Sequence, residues 1–264
     1  MLQAAKNQLK VTIKSIKYGL MREMLNKTSF IMNITFMILN NASFIIQWLI
    51  IYSLREDVGG YTFNQVLLLW AIAASTFGFS HFFFKKSYTL SDTITQGKLD
   101  SYLVQPKNVL ISAITSDIEV SALGDILYGY IVLIISGITF AKFFLFTLFT
   151  ITGAIVITDV AVILGSLSFW FGRSDMIADT GNNLMTSFAT YPDGIFKGVS
   201  RILLLTIIPI GLTAYFPVWI MTKFDIKLSL IIIIITIAFT ALTFVIFYRG
   251  LRRYSSSNLM ISKI

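Results

Sequence analysis

The chain has no cysteine, only four prolines, a single histidine, and charged residues at 13% of its 264 positions. Without cysteine there are no disulfides and no thiolate metal sites, which fits polar parts facing a reducing compartment. One histidine, His81, makes a metal centre improbable, and a polar residue satisfied at a helix end is the stronger reading. A phosphate-binding loop is absent too. Gly97-Lys98 has Asp92 where the first glycine of G-x-x-x-x-G-K-S/T would stand and Leu99 where the hydroxyl residue belongs. There is no H-E-x-x-H and no G-x-S-x-G, and Ala122-Leu-Gly-Asp125 lacks the first glycine of a G-x-G-D aspartyl protease site, so an intramembrane enzyme is excluded in detail. The chain is therefore read as non-catalytic, with no metal or cofactor of its own.

What is present is apolar. Hydrophobic residues make up 56% of the chain and the mean hydropathy is +0.78, values foreign to a water-soluble domain of this length. A bilayer core needs about 20 apolar residues in a helix. Residues 28–54, 63–84, 121–141, 143–171 and 228–248 meet that length, with 201–219 as the weakest sixth candidate. The expected fold is one all-α membrane domain over 1–264, with no room between spans for a separate catalytic domain.

The cations set the expected orientation, because Lys and Arg near span ends stay on the cytoplasmic side. With six spans and both termini inside, 17 of the 21 Lys and Arg residues are cytoplasmic, leaving Arg55, Lys142, Lys223 and Lys227 outside. The net charge of +8 is then a topology signal, and nucleic-acid binding lacks a soluble basic surface to carry it. The first 28 residues lack a small-residue cleavage site and are expected to stay. They place Leu9, Ile13, Ile16, Leu20 and Met24 on one helical stripe with lysines around it, an interfacial amphipathic helix that serves as a membrane anchor, or else as a gate or partner-binding helix.

Between the second and third spans, KKSYTLSDTITQGKLDSYLVQPKNVLIS (85–112) is the most structured-looking polar stretch. Ser91 can cap a helix starting near Asp92, Gly97 can end it, and Pro106 stops a helix resuming through Leu99 to Val104. Ile94, Leu99, Leu103 and Val104 are then apolar residues without lipid, which either dock into a groove on a soluble partner or pack on the bundle. Inside the spans, Asp159 is a functional-site candidate or a hydrogen-bonding interface residue, and Asp125, nearer the inner end, reads as structural. Gly78, Gly153 and Gly165 allow close helix packing, whereas Pro209, Gly211 and Pro217 should break the fifth span into a kinked or re-entrant element on the outer side. Residues 173–200 read as an inner loop with a short amphipathic helix turning at Tyr191-Pro192.

Four segments carry a resemblance. DTITQGKLDSYLVQP (92–106), the Tyr191-Pro192 pair, IPIGLTAYFP (208–217) and GLRRYSSSN (250–258) are, in this order, similar to the six-span permeases of the ABC-2 type transporter superfamily. The resemblance implies a permease subunit of an ATP-driven exporter in the cytoplasmic membrane, moving an amphipathic or hydrophobic substrate outward. ATP and Mg would be bound by a separate cytoplasmic ATPase, and a second permease chain, identical or related, would flank one pathway. It implies a coupling helix in the loop, matched by Asp92, Gly97, Leu99, Asp100, Leu103 and Pro106, with Ile94 beside them, and a tail motif at Gly250, Leu251, Tyr254 and Ser256. One departure is the brief outer segment 221–227, where larger exporters of glycans or lipids carry re-entrant helices. The rival reading is an ion- or proton-coupled transporter built on Asp159.

Overall fold

The computed structural model describes residues 2–206 and 208–255, and among them there is no strand. In chain order the helices are α1 (Leu2–Glu23), α2 (Lys27–Leu54), α3 (Phe63–Phe84), α4 (Leu90–Thr95), α5 (Asp100–Leu103), α6 (Val109–Ile114) and α7 (Ala122–Ile135). They continue as α8 (Phe140–Ser166), α9 (Ser168–Phe171), α10 (Asp175–Ala189), α11 (Val199–Thr206), α12 (Phe216–Lys223) and α13 (Ile226–Leu251).

Among the described residues, four helices are long and apolar enough to cross a membrane: Lys27–Leu54, Phe63–Thr95, Phe140–Phe171 and Ile226–Leu251. A fifth is counted if Val199–Thr206 and Gly211–Lys223, bent by 71°, form one span. The expected third span, 121–141, is shorter than its hydropathy implies. Its helix ends at Ile135, Gly137 turns the chain at φ +87°, and the Thr139 hydroxyl accepts from Lys142 N to start α8 at Phe140. At 1.5 Å per residue α7 is about 21 Å long, less than a full hydrocarbon core. Hydropathy hides the break because the turn, Ser136-Gly-Ile-Thr139, is short and uncharged.

The segment 201–219 is broken, as its prolines require. It divides into α11, a π-helical turn over Gly211–Tyr215 and α12. Pro209 has no N–H to give and lies in the break, whereas Pro217 sits in the first turn of α12, where a missing donor costs little. A bent helical pair thus precedes α13, although the brief segment 221–227 by itself is too short for one.

A further correction concerns residues 173–200. α10 starts beside α4, yet the turn after it packs on the α2–α3 connection, at the opposite end of the bundle. That connection is a tight hairpin: Gly59 and Gly60 both have positive φ, and Val58 and Tyr61 exchange backbone hydrogen bonds at 3.2 Å. A Cβ on Gly59 would stand 2.8 Å from the Ile195 nitrogen, so only glycine admits the approach. The stretch therefore spans the bundle rather than looping at one end.

Backbone proximity organises the centre. A Cβ on Gly78 would meet the Ala122 carbonyl oxygen at 2.8 Å, and one on Gly129 the Ala71 carbonyl at 2.5 Å, so α3 and α7 touch nearly backbone to backbone. Gly153 and Gly165 similarly seat α8 against Thr76 and Leu90. α1 is fastened to the chain as well as being amphipathic. Gln8 bonds Ser112 and Asn108, Ser15 bonds the Thr115 carbonyl, and Arg22 meets Asp117 at 2.7 Å. Burial acts to raise the Asp117 pKa, but Arg22 and the Ile118 N–H outweigh it and hold the carboxyl below its usual range. Ile16 and Leu20 pack toward Ile118, whereas Leu9 and Ile13 of the same stripe stay exposed.

Candidate functional site

The loop after α3 is built as its sequence demands, with one reversal. Gly97, at φ +71°, closes α4 in a Schellman motif: Lys98 N donates to Thr93 O and Gly97 N to Ile94 O. Ser91 is not the cap, since α4 begins one residue earlier and the Ser91 hydroxyl pairs with Ser168 at 2.7 Å. Asp92 lies in the first turn of α4 and Asp100 in that of α5, where carboxylates meet the positive helix end. Pro106 follows the end of α5.

The reversal concerns which apolar residues face out. Ile94 and Leu99 are fully buried, packed in one cluster with Leu90, Leu110, Phe169 and Phe247. Leu103 is 42% exposed and Val104 is 84% exposed. The apolar surface that this loop exposes is therefore the Leu103–Val104 tip, while Ile94 and Leu99 hold the loop onto the bundle.

The tail residues belong to the same assembly. Leu251 and Tyr254 pack on the cluster that contains Ile94 and Leu99. A Cβ on Gly250 would collide with the Phe169 ring, which stacks edge-on against Phe247. Burial, then the neighbouring Asp100 carboxyl, pushes the Tyr254 phenol up to about 12. Two motifs about 150 residues apart thus form one platform at the end of the bundle. Ser256 lies outside the described residues.

The two intramembrane carboxylates have different surroundings. Asp159 is buried between α8 and α13, its Oδ2 accepting from the Thr240 hydroxyl at 2.6 Å. Such a bond between helices contributes about 0.6 kcal/mol on average. Asp159→Asn keeps an acceptor for Thr240, so it is expected to leave transport within roughly twofold and the melting temperature nearly unchanged, whereas Asp159→Leu lowers the melting temperature. Transport assays and thermal melts of the detergent-solubilised chain check both. Asp125 on α7 accepts from the Asn41 amide of α2 at 2.6 Å and lines a cavity.

That cavity, about 530 Å³, lies between α2, α3, α7 and α10. Phe44 and Trp70 stack at 4.6 Å between ring centroids, and Trp48 meets Tyr191 edge-on at 6.0 Å. Asn40, Asn41, Gln47, Thr186 and Thr190 supply neutral hydrogen-bonding groups. Glu119 stands at its α7 entrance; burial acts to raise its pKa, but Lys85 at 2.9 Å and Ser121 outweigh it and lower it. His81, at the same rim, is occupied by the Phe77 carbonyl and stacked on Tyr88 at 4.0 Å. Of these residues Asp125 is singled out in the sequence as a carboxylate within a span, but with a structural reading and no sign of the cavity. The available signal is the recurrence of amides and hydroxyls along α2 and α10 at helical spacing.

At the opposite end a second polar cluster joins the α2–α3 hairpin to the bent pair. The Tyr61 hydroxyl donates to Asp193 at 2.7 Å and accepts from the Trp219 indole at 2.8 Å, while Arg201 donates twice to the other Asp193 oxygen. It fixes the bent pair and the end of α10 to one hairpin.

A long apolar bundle, a buttressed loop with an apolar tip and a polar-lined membrane cavity are the features of a transport component. No curated protein and no solved structure matches the chain. Residues 22–258 match the sequence model of the family described as ABC-2 family transporter protein. The match runs from the end of α1 to the tail and includes the loop, the cavity and the bent pair, so the chain belongs to the ABC-2 family of transporters, as a multi-pass membrane permease.

Proposed function

We propose that this permease is a subunit of an ATP-driven exporter in the cytoplasmic membrane, seated through its α4–α5 loop on a separate ATPase that binds ATP and Mg. A second permease chain, identical or related, completes the pathway. The observation that carries the reading is the Leu103–Val104 tip: two apolar side chains left exposed by a loop whose Leu90, Ile94 and Leu99 are fully buried.

In this reading six helices cross the membrane with both chain ends inside: α2, α3, α7, α8, α10 and α13. The bent α11–α12 pair enters and leaves on the outer side. Lys197 and Arg201 then join Arg55, Lys142, Lys223 and Lys227 outside, and 15 of the 21 Lys and Arg residues remain inside, still the majority the positive-inside rule requires. Polar residues of α10 are tolerable at membrane depth where they face hollows in the bundle, Thr186 and Ser187 on the cavity and Asp179, Asn182 and Asn183 on a second pocket with His81 and Tyr88. An aromatic cavity with neutral polar groups suits an amphipathic cargo. The ion-coupled alternative has less behind it, since Asp159 lies between α8 and α13 and away from the cavity.

Photo-crosslinking tests the docking. With crosslinkers at Leu103 and Val104 in native membranes, mass spectrometry is expected to identify a nucleotide-binding subunit. The same group at buried Ile94 is expected to capture none. Absence of a nucleotide-binding subunit from the exposed positions would overturn the docking assignment.

A further inference from the structure

We propose that the cavity between α2, α3, α7 and α10 binds an amphipathic organic cation as the cargo of this permease, an inference that rests on the permease reading above. The charge of the lining sets the sign. Among the described residues no lysine or arginine lines the cavity, and its carboxylates are Asp125 and Glu119. Glu119 is neutralised by Lys85 at 2.9 Å. Asp125 has the neutral Asn41 amide against it and, among the described residues, no cation within 4 Å. An uncompensated carboxylate in a low-dielectric site is costly, and a positive ligand offsets that cost where a neutral or negative one does not.

The walls fit the same class. Phe44, Trp70, Trp48, Phe77 and Tyr191 give the cavity faces on which an organic cation can rest, its charge attracted to the ring quadrupoles and its apolar body covered. The about 530 Å³ of space accommodates a drug-sized molecule.

The isosteric ions tetraphenylphosphonium and tetraphenylborate separate charge from shape. Equilibrium dialysis against the full chain in phosphatidylcholine nanodiscs, with empty nanodiscs subtracted, is expected to show saturable binding of tetraphenylphosphonium. Tetraphenylborate is expected to bind at least about tenfold more weakly, a difference of about 1.4 kcal/mol. Asp125→Asn should weaken tetraphenylphosphonium by about tenfold, and Trp70→Phe should weaken it less while keeping the preference for the cation. Equal binding of the two ions, no saturable binding of the cation, or an unchanged affinity in Asp125→Asn would overturn the assignment. If Asp125→Asn does not fold, the two-ion comparison on the unaltered chain decides. Loss of cation binding with ATPase capture at Val104 intact overturns the cargo class alone; loss of capture with cation selectivity intact overturns the ATPase docking alone.

Discussion

Replacing Leu103 and Val104 together by aspartate is expected to reduce ATP-dependent transport by at least about a hundredfold while leaving membrane insertion and thermal stability as they are. Burying an aliphatic side chain contributes about 1.5 to 3 kcal/mol, and each 1.4 kcal/mol is a factor of ten in affinity, so removing two such side chains from a docking surface accounts for at least that factor. Val104 is 84% and Leu103 42% exposed, so within the chain the change removes less packing than the same change at Ile94 and Leu99. The matched control is Ile94→Asp with Leu99→Asp. Both positions are 0% exposed in the cluster with Phe169 and Phe247, and a buried unpaired carboxylate there should prevent the loop from seating. Efflux from proteoliposomes, ATPase pull-down and a melting curve together separate the pairs. The tip pair loses transport and pull-down with an unchanged melt, and the buried pair loses the melt as well. Full transport in the tip variant would show that the loop does not couple to ATP hydrolysis.

The opposite behaviour of neighbouring residues shows where sequence reading reaches its limit. Gly97 is legible as the end of α4 because a left-handed residue after a short helix favours glycine. Which way Ile94 and Leu99 face is not, since α4 has six residues and α5 four, too few turns for periodicity to define a side. The long apolar helices are legible from length alone. α10 reads as part of a loop because Asp175, Asp179, Asn182 and Asn183 lower its hydropathy, yet its Thr186 and Ser187 border the cavity. The cavity draws on four helices, and no local pattern announces that Asn41 and Asp125, 84 positions apart, will be hydrogen-bonded. The same holds for Tyr61 and Asp193, which are 132 positions apart. The glycines that let helices approach are visible in the sequence, but not the partners they approach.

The second large effect is expected at the Tyr61–Asp193–Arg201 cluster. Asp193 is 1% exposed, whereas the side chain of Arg201 is 44% exposed. Removing the arginine strands a buried carboxylate, and removing the aspartate strands a cation that can still turn to water. Breaking a buried pair from the side that leaves the charge buried costs about 3 to 5 kcal/mol. Arg201→Ala should therefore destabilise more than Asp193→Asn, which keeps an acceptor for the Tyr61 hydroxyl. Tyr61→Phe should cost least, about 1 to 3 kcal/mol, because it deletes one neutral donor and leaves the Trp219 indole without its acceptor. Thermal melts of the three variants in detergent test this order; a melt for Arg201→Ala as mild as that for Tyr61→Phe would mean the ion pair is solvated and contributes little. The cluster also bears on function, since it ties the α2–α3 hairpin, the end of α10 and the bent α11–α12 pair into one unit. α2, α3 and α10 are walls of the cavity. Loosening their shared anchor should lower affinity for cargo together with stability, whereas the Leu103–Val104 tip, at the other end, should change transport without changing cargo affinity.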